Sequence, residues 1–201
     1  MVPMLSDLKS FMSGSYVANR FKGRRTLDIG CGKGSFLRHD PEHFEGVEIN
    51  EDAIRECRAA GLKVTKGSAT ALPFADGEFD AINCRQLIEH LDYKEALQLF
   101  REMDRVLKPG GEIALATEMP TKEFWDTFTH VRPYSPKAVR KLLSSMGQET
   151  FSSLHGLRIE KVFYTGRCFS FKPFTALSFA LAGIGLGRRN YLMIIRKNRQ
   201  K

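Results

Sequence analysis

The chain has 201 residues, 42% of them hydrophobic and 27% charged, and a formal net charge of +8. This length suffices for one domain with a full hydrophobic core, and the composition is ordinary for a globular protein. No apolar stretch reaches the roughly 18 to 20 residues that a membrane span needs, and the N-terminus lacks the continuous apolar region of a signal peptide. We therefore expect a single domain over residues 1–201.

The cysteines indicate the redox compartment of the protein, and the charges are unevenly distributed along the chain. The four cysteines, at positions 31, 57, 84 and 168, form no Cys-x-x-Cys pair and show no zinc spacing. The simplest interpretation is a reduced, cytoplasmic protein, and no metal site is predicted. Residues 155–201 hold ten Lys and Arg against one acid, a balance of +9, whereas residues 1–154 hold 21 basic and 22 acidic residues. The basic excess therefore lies in the last quarter of the chain.

The first elements surround a glycine-rich turn. Apolar residues at helical spacing between positions 4 and 20 predict a leading helix. A buried strand follows at about 25–29, and a helix is predicted at about 33–39. Glycine reaches positive φ at little cost and carries no side chain, so a ligand can lie against a turn that contains it. Gly30, Gly32 and Gly34 therefore indicate a ligand-binding turn.

The spacing of this turn and the next strand indicate the kind of ligand. The order is G-x-G-x-G, not the G-x-G-x-x-G of the dinucleotide fingerprint, and Asp28 precedes the first glycine. This combination favours a nucleoside-type ligand without a pyrophosphate over a turn with no ligand. The second strand ends at Glu48, 18 residues after Gly30. An acidic residue at about this distance accepts hydrogen bonds from ribose hydroxyls in βαβ units, and we predict that role for Glu48 over a solvated charge.

The rest of the chain alternates strands with helices. Helices are predicted over about 50–61, over about 93–107 and from Ser135 to Gly147, and strands over about 63–66, 79–84, 112–117, 158–164 and 191–196. This alternation predicts an α/β fold with a doubly wound, mostly parallel seven-stranded sheet and helices on both faces. In such sheets, ligands bind outside the carboxyl ends of the strands.

That edge of the sheet collects further candidate residues. The candidates are Cys84, Arg85 and Gln86 after the fourth strand, Glu89 and His90 just beyond it, and the stretch from Glu118 to Tyr134 after the fifth strand. His90 either faces a substrate cleft or is a hydrogen-bonded histidine at the start of a helix. His130 and Tyr134 lie in the loop before the helix that begins at Ser135, where they either contact the substrate or serve packing.

Residues 166–190 form an apolar and basic insert between the last two strands, and this insert is too long for a hairpin turn. Phe171, Phe174, Leu181 and Ile184 within it follow a helical stripe. Three interpretations are open: a lid over an apolar substrate pocket, a membrane-interface helix or dimer contact, or additional core with solvated charges. The oligomeric state is not predicted.

Four motifs in order resemble the class I S-adenosylmethionine-dependent methyltransferases, in particular the type 11 group, over about residues 20–150. They are Leu27–Gly34, the strand ending at Glu48, Lys66–Phe74 followed by Phe79–Ile82, and Arg105–Ile113. The resemblance implies a Rossmann-like methyltransferase fold whose seventh strand runs antiparallel beside the sixth. It also implies S-adenosyl-L-methionine as the cofactor. The cofactor-binding residues expected from the matching motifs are Asp28, Gly30, Cys31, Gly32, Gly34, Glu48, Ile49, Ser68, Ala69, Cys84 and Arg85.

The chain departs from this family at Ser68, where the family usually has an Asp that accepts a hydrogen bond from the adenine amino group. A serine hydroxyl can still accept this hydrogen bond, with weaker recognition. The segment Asn83–Gln86 also lacks the Asn-Pro-Pro-Tyr type of motif. This argues against the methyltransferases that use that motif on the amino groups of adenine bases and glutamine.

Methyl transfer from a sulfonium needs mainly alignment, and a general base is needed only when the acceptor must lose a proton. The candidates for catalytic roles are His90, His130 and Tyr134. We predict an S-adenosylmethionine-dependent methyltransferase that acts on a small, apolar or amphipathic acceptor. The alternatives are an RNA methyltransferase that uses the basic C-terminal segment, and a non-catalytic cofactor-binding partner subunit. The expected partners are accordingly a small-molecule acceptor, RNA, or a membrane surface contacted through residues 166–190.

Overall fold

The structure is a computed structural model that describes residues 14–144, 154, 156–166 and 188–199. Its strands are β1 (Thr26–Ile29), β2 (Phe44–Glu48), β3 (Val64–Lys66), β4 (Phe79–Arg85), β5 (Leu107–Glu118), β6 (Leu157–Gly166) and β7 (Arg188–Lys197). Its α-helices are α1 (Ser15–Phe21), α2 (Glu51–Ala59), α3 (Tyr93–Val106), α4 (Lys122–Trp125) and α5 (Pro136–Leu143). Short 3-10 helices cover Leu37–His39 and Ile88–His90.

The strands form one sheet in the order β3-β2-β1-β4-β5-β7-β6. Strands β1 to β5 pair in parallel, whereas β7 is antiparallel to both β5 and β6. The seven-stranded, mostly parallel sheet and the antiparallel seventh strand are confirmed. The carboxyl ends of β1 to β6 therefore share one edge of the sheet, where Gly166 pairs with Arg188. The ends of the predicted insert lie at this edge, while residues 167–187 are outside the described residues.

The longest helix shows how the sequence specifies its elements. The side chain of Asp92 accepts hydrogen bonds from the backbone N–H groups of Lys94 and Glu95. The Glu95 carboxylate in turn accepts one from the Asp92 N–H, which completes a capping box. The buried face of α3 has the spacing of a helical stripe: Ala96, Leu99, Phe100, Met103 and Val106. The cap fixes where α3 begins, and its apolar stripe fixes the face that packs on the sheet.

Both faces of the sheet are buried. Along β7, Tyr191, Met193 and Ile195 join the cluster that contains the apolar stripe of α3. The alternate residues Leu192 and Ile194 join the cluster that contains Val17, Ala18 and Phe21 of α1. Because successive strand residues point to opposite faces, this alternation requires cover on both sides of the sheet. Helices on both faces are thus confirmed.

Two predicted boundaries are wrong. The helix predicted at 33–39 is a series of turns followed by the 3-10 helix Leu37–His39, because Gly34 has a φ of +75° that an α-helix cannot continue through. The fifth strand begins at Leu107, directly after α3, and not after the Pro109–Gly111 segment. Gly110, with a φ of +81°, lets the chain pass through that segment within the strand. Residues 4–13 of the predicted leading helix and residues 145–147 of the helix after Ser135 lie outside the described residues.

Candidate active site

The glycine turn after β1 is open at only one of its three glycines. Gly30, Gly32 and Gly34 have φ values of +70°, +51° and +75°. A side-chain carbon at Gly34 would overlap Leu62, and one at Gly30 would press on Leu87. At Gly32 no atom stands within 4 Å of the position that a Cβ would take. Gly32 is therefore the point where a ligand can approach the backbone of the turn.

Glu48 joins the end of β2 to this turn. One carboxylate oxygen, Oε2, accepts a hydrogen bond of 2.9 Å from the Gly32 N–H. The other, Oε1, accepts from the N–H groups of Ile49 and Asn50 at 2.8 and 2.9 Å. A carboxylate oxygen can accept two hydrogen bonds, so Oε2 keeps capacity for one more. Glu48 thus braces the turn, a role that the sequence analysis missed, and can still accept from a ligand.

Asp28 is a buried carboxyl group beneath the turn. Its Oδ1 accepts a hydrogen bond of 2.7 Å from Nδ2 of Asn83 on β4. Burial raises the pKa of Asp28 to about 7, although the Asn83 hydrogen bond and the charge of Arg85 act in the opposite direction. The guanidinium of Arg85 lies directly against Gly14, where a side-chain carbon would overlap it. The charges of Asp28 and Arg85 interact, each favouring the ionised form of the other.

The segment at Ser68 lies beside the end of β2, since the Gly67 N–H donates to the Glu48 carbonyl at 3.0 Å. The Ser68 hydroxyl lies 2.9 Å from the Thr70 hydroxyl and accepts from the Thr70 N–H at 3.2 Å. Ala69 is half-buried against the core. The hydroxyl that stands at the family's adenine-binding position is therefore already engaged in a local turn.

Other predicted cofactor residues differ widely in exposure. Ile49 is 68% exposed although it is apolar, whereas Cys31 and Cys84 are 6% and 0% exposed. Burial raises the pKa of both thiols well above the usual range. The Cys84 side chain is enclosed in the core, so any contact that this residue makes with a ligand has to come from its backbone.

A cleft of about 290 Å³ opens at the carboxyl edge beyond β4 and β5. Its lining combines apolar and polar side chains: Val17, Arg85, Gln86, Ala116, Glu118, Thr165, Asn190, Tyr191 and Leu192. Gln86 has a φ of +50°, the only positive value at a non-glycine position in the described part of the chain. Arg85, Gln86 and Glu118 were among the candidates predicted at this edge, whereas the other lining residues carried no motif by which the sequence analysis could have found them.

The structure brings His90 and His130 together, with ring centroids 5.1 Å apart. Nδ1 of His90 lies 2.9 Å from the Thr129 carbonyl oxygen, and Nδ1 of His130 lies 3.0 Å from that of Phe124. Tyr134 donates its hydroxyl proton to the Leu91 carbonyl at 3.0 Å. Burial raises the pKa of Tyr134 to about 12, which favours the packing interpretation for this residue.

Glu89, a candidate only through its place after the fourth strand, lies beside this histidine pair and is fully buried. Its Oε2 accepts a hydrogen bond of 2.7 Å from the Thr117 hydroxyl at the end of β5. Burial raises the pKa of the Glu89 carboxyl group, against the effect of the Thr117 hydrogen bond. A carboxyl group and two imidazoles therefore meet between the ends of β4 and β5.

Comparison with known proteins agrees with this architecture. Residues 27–115 match the family model described as "Methyltransferase domain". A solved structure titled as a SAM-dependent methyltransferase from Archaeoglobus fulgidus has the same fold, with a TM-score of 0.66 and 23% identity over 96% of this chain and 100% of that one. Residues 27–115 therefore form a methyltransferase domain of the class I S-adenosylmethionine-dependent type, and S-adenosyl-L-methionine is the cofactor that this domain implies.

Two curated relatives show the range within this family. A fatty-acid O-methyltransferase of Mycolicibacterium smegmatis is 39% identical over 100 residues, which cover 45% of this chain and 35% of that protein. A Bos taurus protein named "Probable tRNA methyltransferase 9B" is 30% identical over 154 residues, which cover 73% of this chain and 34% of that protein. The chain thus spans about a third of the length of these relatives. Among the described helices, none is long and apolar enough to cross a membrane.

Proposed function

We propose that the protein transfers the methyl group of S-adenosylmethionine to a small, amphipathic acceptor. The observation that carries this proposal is the cleft of about 290 Å³ at the carboxyl edge of the sheet. This volume is at the lower end of the usual range for small-molecule sites, about 300 to 1,000 Å³. Val17 and Leu192 give the cleft an apolar side, while Glu118 and Asn190 supply polar groups. An acceptor with both characters fits such a lining.

The residues around the glycine turn suit the cofactor. Gly32 leaves the backbone open to close approach, and Oε2 of Glu48 retains capacity to accept from a ribose hydroxyl. The exposed apolar side chain of Ile49 is available to cover an adenine ring beside Glu48. The sulfonium of the cofactor supplies an activated methyl group. The protein's part is to hold the acceptor in line with it, for which proximity is the main source of rate.

His90 and His130 do not line the cleft, but they follow β4 and β5 at the same edge of the sheet, and we propose them as polar groups on the acceptor side. Each Nδ1 is directed at a backbone carbonyl, which can only accept a hydrogen bond, so that nitrogen carries the proton in the neutral ring. The other nitrogen, Nε2, is then left with its lone pair. Two such nitrogens can receive or orient a hydroxyl or carboxyl group of the acceptor.

The experiment is a methyl-transfer assay with labelled S-adenosylmethionine against fatty acids, phenols and unmodified tRNA. We expect label in a small-molecule product, and Ala116→Leu, which fills the cleft, should raise the KM for that acceptor. The matched control is Ala138→Leu on the exposed face of α5, which should leave the KM unchanged. Label found in tRNA alone would contradict the proposal.

Methylation of tRNA is the second candidate, because residues 155–201 carry the basic excess and one relative is named as a tRNA methyltransferase. Within the described part of this segment, several cations are already paired with acids: Arg158 with Glu160, Arg189 with Glu123, Arg196 with Glu112 and Lys197 with Asp104. This pairing reduces the charge available to phosphates. Binding to tRNA that weakens steeply with salt would favour this candidate.

A further inference from the structure

The cluster at Glu89 holds an unsatisfied polar atom. One carboxylate oxygen of Glu89 and one ring nitrogen each of His90 and His130 lie within 4.8 Å of one another. Glu89 is 0% exposed, and its Oε1 has no hydrogen-bond partner in the described part of the chain. A buried carboxylate oxygen without a partner is costly, and a bound cation is one of the few groups that satisfies it. We propose that Glu89, His90 and His130 bind a divalent transition-metal cation.

The surrounding hydrogen bonds are those that metal ligands require. The Nδ1 atoms of His90 and His130 contact the carbonyls of Thr129 and Phe124, which orients both rings and, in the neutral tautomer that these contacts select, leaves the Nε2 lone pair for a metal. A histidine that binds a metal almost always donates its other N–H to a carbonyl or a carboxylate in this way. The Thr117 hydroxyl does the same for the carboxylate, through Oε2 of Glu89.

The two chain segments that supply the ligands are joined at the site. The Glu89 carbonyl accepts hydrogen bonds from the N–H groups of Val131 and Arg132 at 2.8 and 3.3 Å. The Tyr134 hydroxyl donates a further hydrogen bond, to the Leu91 carbonyl. The loop that carries His130 is therefore held against the segment that carries Glu89 and His90, and the three ligands keep a common position without the metal.

Two imidazoles and one carboxylate form a donor set that suits Zn²⁺, with Co²⁺ as its spectroscopic substitute, and not Mg²⁺. Bonds of about 2.0 to 2.2 Å in a tetrahedral site put ligand atoms about 3.4 Å apart, so small side-chain rotations would close the present spacing. Three protein ligands leave the fourth position open. If the proposed function holds, an oxygen atom of the acceptor fits that position, and the cation would lower its pKa. The site itself does not depend on that function.

The test uses the full chain, stripped of metal with a chelator and then titrated with Co²⁺ and Zn²⁺. We expect one equivalent of cation, seen by calorimetry, and visible Co²⁺ absorption bands without the near-ultraviolet thiolate band that the cysteines would produce. Loss of a group that only hydrogen-bonds a metal ligand weakens metal binding about 10- to 100-fold, so loss of a ligand itself in His130→Ala or Glu89→Gln should weaken it by at least roughly 100-fold. The control is His39→Ala, an exposed histidine elsewhere, which should bind the cation like the parent protein.

Binding of S-adenosylhomocysteine by the same variants shows that they are folded and separates the two proposals. Cation binding by the parent, lost in the ligand variants with cofactor binding intact, supports the site whatever the acceptor proves to be. No saturable cation binding by the parent, equal affinity in parent and His130→Ala, or a thiolate band in the cobalt spectrum would overturn it. Intact cation binding with no methyl transfer to any small molecule would count against the proposed function alone.

Discussion

The buried position of Asp28 makes the ionised form of its carboxyl group destabilising. Its pKa in the folded protein is raised to about 7 from an ordinary value of 3.8, chiefly by burial. The folded state therefore binds this proton more tightly than the unfolded chain does, and stability falls as the pH rises between about 4 and 7. A pKa shift of this size lowers the free energy of unfolding by up to about 4 kcal/mol above pH 7.

We predict that Asp28→Asn raises the free energy of unfolding at pH 8 and reduces the loss of stability between pH 5 and pH 8. The asparagine can still accept the hydrogen bond from Asn83, and it carries no charge to bury. Urea unfolding at the two pH values measures the effect. The control is Asp40→Asn, because the Gly23 N–H and His43 lower the pKa of Asp40, so that variant should gain nothing at pH 8. No gain in Asp28→Asn would contradict the account of Asp28.

Glu48 has two roles that one substitution can separate. If it accepts from the ribose, Glu48→Ala should weaken binding of S-adenosylhomocysteine by about 1 to 3 kcal/mol, the value of charge-assisted hydrogen bonds. An analogue without ribose hydroxyls should show a much smaller loss. If Glu48 only stabilises the glycine turn through the Gly32 N–H, both ligands should lose the same binding free energy. Calorimetry on both proteins with both ligands gives the answer, and equal losses would remove the ribose role.

At the scale of elements, the glycine turn offers a matched pair of substitutions. Gly32 and Gly77 have φ values of +51° and +61°, and neither has an atom within 4 Å of a built Cβ. Each change to Ala should therefore cost about 1 kcal/mol of stability through backbone strain. We predict that only Gly32→Ala also weakens cofactor binding, by about tenfold or more, or about 1.4 kcal/mol. Equal cofactor affinity in the two variants would show that no ligand lies against Gly32.

The same turn shows what the sequence could and could not predict about elements. The three glycines and the acid 18 residues after the first predicted a ligand edge from sequence alone, because positive φ and strand-end charge are local properties of the chain. The helix expected at 33–39 failed because Gly34 serves the turn as well and its left-handed backbone stops a helix. The sequence pattern around Gly34 fits both the glycine turn and the start of a helix, and it does not show which of the two forms.

At the scale of the whole molecule, contacts between distant segments decide what the sequence could not. The strand alternation predicted the sheet, but the antiparallel direction of β7 and its place beside β6 came only from the family resemblance, and the structure adds that β7 lies between β5 and β6. Glu89 was a candidate only through its place after the fourth strand. Its partner Thr117 lies on β5 and its neighbour His130 on a later loop, so the sequence did not predict that these residues meet. The expectation of no metal site rested on cysteine spacing alone, which carries no information about a cluster of glutamate and histidine. The sequence thus predicted candidate residues where a site is built from neighbouring residues of the chain. It did not predict the groupings that form only when distant segments come together.

The measurement that tests the central claim most directly is calorimetric titration of the purified protein with S-adenosylmethionine and, in parallel, with NAD. The G-x-G-x-G turn braced by Glu48 predicts one equivalent of S-adenosylmethionine bound, displaced by S-adenosylhomocysteine, and no binding of NAD. A folded protein that binds NAD, or that binds neither compound, would contradict the account.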